Sequence, residues 1–237
     1  MNRFDCTFAS PAENLAADEA LLDWREKNGG EEILRFWESP EIFVVCGYAN
    51  KIATEVNAEN CAAKKIPILR RCSGGGTVLQ GRGCLNYALI LRIAINSPLA
   101  GISNANQFIM EQNRKAIENE SRISISGHTD LTIGDLKFSG NSQRRRKHFL
   151  LFHGTFLLNF DLKLIGEFLQ MPSLQPNYRN ARKHEQFLTN LNLSAESVKS
   201  ALAQIWNANN ELQNPPLEEI KKLAQEKYST PEWNFKF

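Results

Sequence analysis

In the first third of the chain, segments whose hydrophobic residues have the spacing of a helix alternate with segments that have the spacing of a strand. Ser10, Pro11 and Glu13 have the order of a helix start with a capping box, which predicts a helix running toward Asn28. Apolar, β-branched and aromatic runs predict strands, and an Ala- and Glu-rich stretch predicts a short helix. The strands fall over residues 33–37, 42–47, 67–71 and 85–93, and the short helix over 55–65.

The second half of the chain first returns to strand-like runs and then turns helical. Ser103 is placed to cap a helix that runs through Ile117. Strands follow over residues 123–125, 131–133, 137–141 and 149–160. The remaining spacing is helical, with a helix behind Ser194 and a last one begun by Pro216. This order predicts one α+β domain over residues 1–237, with a mixed, mainly antiparallel sheet covered by helices.

Composition and charge exclude several classes of protein. The chain has 237 residues, 42% of them hydrophobic and 23% charged, which is typical of a globular domain with one sizeable core. The net charge of +2 is far from the basic balance of nucleic-acid-binding domains, and no apolar run approaches the ~18 residues of a membrane span. Five scattered cysteines without CxxC spacing argue against a disulfide framework or a zinc site. We therefore expect a cytoplasmic protein that binds neither nucleic acid nor a membrane and has no metal-ligand cluster of its own.

The segment RRCSGGGTVLQGRGC, residues 70–84, is called the glycine segment below. It contains five glycines between two apolar stretches. Glycines let a backbone approach a ligand closely, and their N–H groups can converge on an anion. A flexible hairpin turn explains an isolated run of glycines equally well. The spacing matches neither GxxxxGK[ST] nor GxGxxG. The adjacent Arg70 and Arg71 favour the anion-binding interpretation.

A second glycine-bearing segment, GDLKFSGNSQRR, places Lys137 on a predicted strand between Gly134 and Gly140. Strict alternation makes this lysine a candidate for an inward position, although a single strand lysine is more often solvated. The charged run of residues 143–148 is interpreted as a solvated tip between strands, with a polyanion-binding patch as the alternative. Neither glycine-bearing segment identifies a chemistry alone.

Taken together, separate segments of the chain resemble the lipoate protein ligase A family. They are RRCSGGGTV at residues 70–78, GHTDLTIGDLKFSGNSQR at 127–144, FHGTFLLNFDL at 152–162 and EWNF at 232–235. The resemblance implies the fold shared by biotin and lipoate ligases. It also implies that lipoate and ATP, with Mg²⁺, give lipoyl-AMP and pyrophosphate. A lysine of a lipoyl carrier domain, from a 2-oxoacid dehydrogenase or the glycine cleavage H protein, then takes the lipoyl group.

The resemblance implies roles for particular residues. Lys137 matches the essential lysine of the family, and its flexible ammonium can contact both the acyl carbonyl and the α-phosphate. The ATP-binding positions fall on Arg71, Gly76, Thr77, Val78, Leu79, Asp130 and Lys137. The lipoate-binding positions fall on Ser73, Gly74, Gly75, Lys137 and His153. From the residues alone, Asp130 is equally an ordinary turn aspartate. His153 is a satisfied core histidine or a bridge from the sheet to the glycine segment.

The chain departs from the family pattern at several positions. His128 and Thr129 stand where the family usually has arginine and asparagine. Gln80 and Gly81 replace the usual histidine and aspartate. We therefore expect phosphate contacts that differ from those of the family. Full-length ligases of the family continue into an accessory domain, whereas this sequence stops at Phe237, so activation of lipoate could depend on a separate accessory subunit.

Two other functions remain open. Relatives on the same fold transfer octanoyl groups through a cysteine thioester without ATP, and a thiolate is indispensable to that route. No cysteine follows Cys84, and residues 121–126 and 172–174 offer only hydroxyl groups. Cys84 is the one conceivable nucleophile, because GRGC lies close behind the run of glycines. A packed strand residue is the plainer interpretation of Cys84. The second alternative is a non-catalytic protein that binds the lipoyl group.

Overall fold

The computed structural model describes residues 1–118 and 123–237. Its strands are β1 Asn2–Asp5, β2 Ile33–Trp37, β3 Phe43–Cys46, β4 Ile68–Arg70, β5 Val78–Gln80, β6 Cys84–Arg92, β7 Ile123–Ser126, β8 Asp130–Ile133, β9 Leu136–Arg145, β10 Phe149–Leu157 and β11 Asn210–Glu211. Eight of them form a sheet in the order β11-β1-β2-β6-β10-β9-β8-β7, and a small sheet has the order β4-β3-β5. In the larger sheet β1 pairs in parallel with β2 and β11, and the other neighbours pair antiparallel. The predicted mixed, mainly antiparallel sheet is confirmed.

Helices pack on both faces of the larger sheet. They are α1 Pro11–Asn28, α2 Ile52–Glu55, α3 Ala58–Ala63, α4 Ile102–Ile117, α5 Lys163–Phe168, α6 His184–Phe187, α7 Ala195–Ile205, α8 Leu217–Leu223 and α9 Pro231–Asn234. Short 3-10 turns occur at Pro98–Ala100 and Asn177–Arg179, and a π-helical turn at Ala224–Tyr228. Within the described ranges, no helix has both the length and the apolar character that crossing a membrane requires.

The central strand β6 shows why both faces are covered. Ala88 and Ile90 pack in one cluster with Leu21 of α1, whereas Leu85 and Leu89 pack in the cluster that includes α4 and α7. Successive residues of a strand project to opposite faces, so an unbroken apolar run requires cover on both sides. The strand lies in the middle of the molecule for that reason.

The strongest helix signals are confirmed. Ser10 Oγ accepts a hydrogen bond from the Glu13 N–H, and Glu13 Oε2 accepts one from the Ser10 N–H, each at 3.2 Å. Such caps stabilise a helix by about 1 kcal/mol. The helix ends at Gly29, whose φ of 68° suits glycine. Ser194 caps α7 in the same way, accepting from the Ser197 N–H at 3.1 Å.

Other local predictions are wrong in detail. The helix predicted over 55–65 is shorter, since only α3 lies within that range; Val56, which separates it from the preceding α2, is extended and pairs with Leu169. Ser103 does not cap α4, which begins at Ile102 behind Gly101. The charged run 143–148 belongs to β9 as far as its third residue, and only its end connects the strands. Strands β1, β5 and β11 were not predicted, because each is short and held by partners distant in the chain.

Candidate active site

A cavity of about 550 Å³ lies between the larger sheet, the glycine segment and the chain segment 170–188. Apolar side chains line it from several elements, including Leu15, Trp37, Val45, Leu157, Ile165 and Leu169. Polar and charged side chains in the lining include Asp18, Glu55, Asp130, Lys137, His153 and Arg179. The cavity therefore offers a slot for an apolar group together with charged groups that orient a polar one.

The floor of the cavity is a row of residues on five neighbouring strands. The register pairs them one with the next, in the order Trp37, Asn86, Thr155, Gly140 and Asp130. Residues directly opposite one another project to the same face of a sheet. All five line the cavity. The row therefore presents an indole, an amide, a hydroxyl, a glycine and a carboxylate in sequence to a bound molecule.

Lys137 reaches this row because β9 is irregular. The register shifts between Leu131 and Thr132, where β9 carries an additional residue, and such a bulge re-aims neighbouring side chains. The ammonium then lies over Gly140, where a Cβ would be 2.8 Å from Nζ. Lys137 Nζ is 2.8 Å from Asp130 Oδ1. The path of the lysine therefore depends on a glycine at position 140.

Asp130 joins the sheet to the segment 170–188. Its second carboxylate oxygen, Oδ2, accepts a hydrogen bond from the Tyr178 hydroxyl at 2.7 Å. Burial and the neighbouring Asp130 charge raise the pKa of Tyr178, so the phenol keeps its proton and remains a donor. Asp130 is thus held between Lys137 and Tyr178. Movement of either side chain therefore affects the other through the shared carboxylate.

Arg71 holds the glycine segment from inside. Its Nη2 donates to the carbonyl oxygens of Gly74 at 2.5 Å and Gly76 at 2.7 Å, and its Nε donates to Ser73 Oγ at 3.1 Å. Burial lowers the pKa of Arg71 to about 10, which leaves the guanidinium charged at neutral pH. Gly75 between them has a φ of 84°, a conformation that favours glycine. The shape of the segment is therefore maintained by a buried cation.

The EWNF segment near residue 234 clamps the strand that leads into the glycine segment. The Arg70 N–H donates to Asn234 Oδ1 at 2.9 Å, and Arg70 Nη2 donates to the Asn234 carbonyl at 3.0 Å. Trp233 Nε1 donates to the Arg70 carbonyl at 2.8 Å. Arg70 also donates to the Gly47 carbonyl at 2.8 Å. The EWNF motif is thus connected to the cavity through Arg70, the neighbour of the cavity-lining Arg71.

His153 faces the cavity two residues before Thr155 on the same strand. Its Nε2 is 2.6 Å from Ser73 Oγ, and its Nδ1 is 2.8 Å from Asp18 Oδ2. Asp18 in turn pairs with Arg35, which has no exposed surface. A carboxylate only accepts hydrogen bonds, so neutral His153 carries its proton on Nδ1 and accepts from the Ser73 hydroxyl. His153 is therefore both a satisfied buried histidine and the bridge to the glycine segment.

The segment 170–188 is attached to the rest of the molecule by polar contacts. Ser173 Oγ donates to Glu55 Oε1 at 2.5 Å, and Arg182 Nη1 donates to Asp135 Oδ2 at 2.7 Å. Between these contacts Leu174 is 90% exposed although it also borders the cavity. The segment is thus a cavity wall held by charged hydrogen bonds together with the buried side chain of Phe187.

Most residues predicted for the site line this one cavity. They are Arg71, Gly75, Gly76, Thr77, Val78, Leu79, Asp130, Lys137 and His153. Ser73 and Gly74 lie behind the lining, where Ser73 contacts His153 and the Gly74 carbonyl accepts from Arg71. Trp37, Glu55, Asn86 and Thr155 also line the cavity, and Tyr178 contacts Asp130; none of them was predicted from the sequence. These residues reach the site through pairing between strands and loops that are distant in the chain. A pattern within a short stretch of sequence does not contain that information. The roles of all these residues in binding stay predictions.

None of the five cysteines, all in the described part of the chain, lines the cavity. Cys84 has no exposed surface, and its Sγ lies 3.8 Å from the Leu79 carbonyl. Burial raises the pKa of the Cys84 thiol, which disfavours a thiolate. Of the hydroxyls considered in its place, Ser173 donates to Glu55. Ser121 lies outside the described residues.

Comparisons with known proteins identify relatives of both kinds considered above. A family model described as the lipoyl protein ligase A/B catalytic domain matches residues 10–207. Octanoyltransferase LipM of Halalkalibacterium halodurans is 26% identical, over 95% of this chain and 95% of its own length. A putative lipoate-protein ligase A of Aeropyrum pernix is 28% identical, over 94% of this chain and 88% of its own.

Solved structures share the fold. A crystal structure of lipoate-protein ligase A bound with ATP superposes with a TM-score of 0.80 at 22% identity, covering 99% of each chain. A bi-partite lipoate protein ligase from Thermoplasma acidophilum, studied with its E2 lipoyl domain, superposes with a TM-score of 0.81 at 21% identity, covering 99% of this chain and 96% of that one. The biotin/lipoate ligase-like fold predicted from the resemblance is confirmed.

Proposed function

The chain belongs to the lipoyl protein ligase A/B catalytic domain family, and we propose that it is an ATP-dependent lipoate protein ligase. In this proposal it forms lipoyl-AMP and passes the lipoyl group to a lysine of a lipoyl carrier domain. The observation that carries the proposal is the position of Lys137, whose ammonium faces the same cavity as the glycine segment. No thiol shares that cavity within the described residues.

The first half-reaction brings two anions together. A carboxylate oxygen of lipoate attacks the α-phosphorus of ATP, a new oxygen–phosphorus bond forms, and the bond to pyrophosphate breaks. A fixed positive charge at this point offsets the repulsion and stabilises the charge that develops in the transition state. The Lys137 side chain is 26% exposed and is paired with Asp130. It is therefore able to exchange that partner for the carboxylate and the α-phosphate.

The second half-reaction transfers the acyl group. The uncharged amine of a carrier lysine attacks the acyl carbonyl, an amide bond forms, AMP leaves, and the amine loses a proton to water. Negative charge develops on the carbonyl oxygen, where the Lys137 ammonium again stabilises it. One ammonium on a flexible stem thus serves both steps, which a planar guanidinium does poorly.

The nucleotide side of the cavity fits a metal that arrives with its substrate. In the described chain, no group of three or more His, Cys, Asp or Glu side chains is arranged to hold a metal ion. Mg²⁺ commonly binds one or two carboxylates together with substrate phosphates. In this proposal Asp130 is the protein ligand, and the ion neutralises phosphate charge. Arg71, Gly76, Thr77, Val78 and Leu79 are proposed to contact the nucleotide.

The apolar lining suits a carboxylic acid with a medium-length apolar tail. Leu15, Trp37 and Val45 belong to one buried cluster and also line the cavity. Burial of apolar surface contributes about 25 cal/mol per Å², so each methylene of the tail adds to affinity. Ser73, Gly74, Gly75 and His153 are proposed to form the wall of this slot.

The proposal is tested by the intact mass of a lipoyl carrier domain after incubation with the protein, ATP, Mg²⁺ and lipoate. A gain of one lipoyl group that requires ATP supports the proposal. Octanoate and biotin in parallel reactions determine the acyl preference. No mass gain in any reaction, with or without a candidate accessory subunit, contradicts ligase activity and favours a non-catalytic lipoyl-binding protein.

A second candidate is an octanoyl or lipoyl transferase that needs no ATP. Similarity to octanoyltransferase LipM favours it. The lack of a cavity-lining cysteine in the described chain argues against a thioester route. Incubation of the carrier domain with octanoyl acyl carrier protein, without ATP, distinguishes the two. A mass gain under those conditions supports the transferase.

An accessory subunit is part of the proposal as a possible requirement for activation of free lipoate. The structural neighbour from Thermoplasma acidophilum is described as bi-partite and is studied with an E2 lipoyl domain. If the present protein depends on such a subunit, it transfers from ready-made lipoyl-AMP alone but forms lipoyl-AMP only when the subunit is present.

A further inference from the structure

Three polar side chains at the cavity floor form a closed ring of hydrogen bonds. Gln80 Nε2 donates to Thr155 Oγ1 at 2.8 Å, and Thr155 Oγ1 donates to Asn86 Oδ1 at 2.6 Å. Asn86 Nδ2 donates to Gln80 Oε1 at 2.9 Å and closes the ring. Gln80 and Asn86 are each 3% exposed, and all three line the cavity.

One backbone carbonyl determines the direction of every bond in this ring. Asn86 Nδ2 lies 3.2 Å from the Cys84 carbonyl oxygen, which can only accept. The amide nitrogen of Asn86 must therefore point toward Cys84 and Gln80. Gln80 must then offer its oxygen to Asn86, which turns its own amide nitrogen toward Thr155. The orientation of the Gln80 amide is fixed even though amide oxygen and nitrogen have similar shapes.

The ring uses one of the two N–H bonds of Gln80 Nε2. The other has no acceptor among the described residues, and Gln80 lines the cavity. Thr155 lies directly opposite Gly140, over which the Lys137 ammonium is placed. Neighbouring strands are about 4.8 Å apart, a distance that a carboxylate and its α-carbon span. Gln80 therefore contacts one member of the Thr155–Gly140 pair, and the Lys137 ammonium lies over the other.

We propose that Gln80 is a binding residue for the carboxyl head group of the acyl substrate, and that Thr155 and Asn86 are positioning residues that aim its free N–H. The inference rests on the proposed function, because it assumes that the cavity takes an acid. A glutamine amide does not titrate, so Gln80 itself adds no pH dependence to binding of the carboxylate.

Calorimetric binding of octanoate and 1-octanol to the full chain tests the proposal without requiring turnover. Gln80→Ala is expected to weaken octanoate binding about tenfold, the effect of losing one hydrogen bond to a charged group. It leaves 1-octanol binding within twofold, because the alcohol lacks the carboxylate. Gln80→Glu weakens octanoate binding further, since it adds a negative charge.

Variants of Thr155 test the positioning role. Thr155→Val removes the hydroxyl that holds the Gln80 amide, and a several-fold loss of octanoate affinity is expected. Thr155→Ser keeps the hydroxyl and restores wild-type affinity. Wild-type octanoate affinity in Gln80→Ala or Thr155→Val overturns the inference, as does an equal loss for acid and alcohol. Failure of the wild type to bind octanoate at all overturns the proposed function and the inference with it.

Discussion

Two aspartates that line the cavity, Asp18 and Asp130, are each paired with a basic side chain, and the two pairs differ in burial. Arg35 and Asp18 have side chains 0% and 4% exposed, whereas Lys137 and Asp130 are 26% and 12% exposed. Burial lowers the pKa of Arg35, and Asp18 opposes that effect. Removing a buried partner leaves an uncompensated charge, but an open pair contributes little to stability. The buried pair therefore supports the fold, and the open pair is free to take part in chemistry.

The largest effect is expected at the open pair. Lys137→Ala should lower the rate of pyrophosphate release about 10³-fold, since one positioned donor to developing charge has about this effect. Its free energy of unfolding should change by less than about 1 kcal/mol. Pyrophosphate release and urea denaturation measure the two quantities. Wild-type pyrophosphate release by the variant would contradict the assignment of Lys137.

In the buried pair, a substitution should lower the stability of the fold. Asp18→Ala leaves Arg35 buried beside neutral acceptors, and we expect a loss of about 3–5 kcal/mol in the free energy of unfolding. Lys137→Ala is the control in the open pair, because its side chain is 26% exposed, with an expected loss of about 1 kcal/mol or less. Urea denaturation of both variants makes the comparison. Equal losses would show that burial does not distinguish the pairs.

A smaller effect should follow from displacing the lysine without removing it. An alanine Cβ at position 140 would lie 2.8 Å from Lys137 Nζ and 2.9 Å from Cε, so Gly140→Ala forces the ammonium to move. Misplacing a reacting group by about 1 Å can lower a rate about 10²-fold. Gly166→Ala is the control, because nothing lies within 4 Å of a Cβ at that position. Similar pyrophosphate release rates in both variants would exclude the steric account.

The smallest effect should come from a residue remote from both pairs. Cys84→Ser replaces a buried thiol that does not line the cavity. We expect carrier-domain acylation within about twofold of wild type, after correction for the fraction of folded protein. Intact mass measured over a time course provides the rate. Loss of ATP-independent octanoyl transfer in this variant alone would instead identify Cys84 as a nucleophile.

Interactions between residues close together in the chain allowed several helices and strands to be predicted from the sequence. The capping box at Ser10 and the cap at Ser194 depend on contacts three residues away, so a short window contains the whole signal. The apolar run beginning at Phe149 is likewise a buried strand. The glycine segment was located for the same reason, because its conformational freedom is a property of the residue type.

Family resemblance added the site residues that local patterns could not rank. Alternation made Lys137 a candidate for an inward position but did not exclude an ordinary solvated lysine, and its cavity position depends on the register shift in β9. The resemblance identified the lysine but did not predict that its side chain passes over Gly140. The structure shows that contact.

The sequence by itself determined the capped helices, the longer strands, the glycine segment and the basic residues that flank it. The tertiary structure alone decided which residues share the cavity floor. Trp37, Asn86 and Thr155 are far apart in the chain and become neighbours through strand pairing. Pairing register depends on the packing of both sheet faces and on turns elsewhere. The direction of the Gln80 amide follows from that register and from one carbonyl oxygen, which no pattern along the chain encodes.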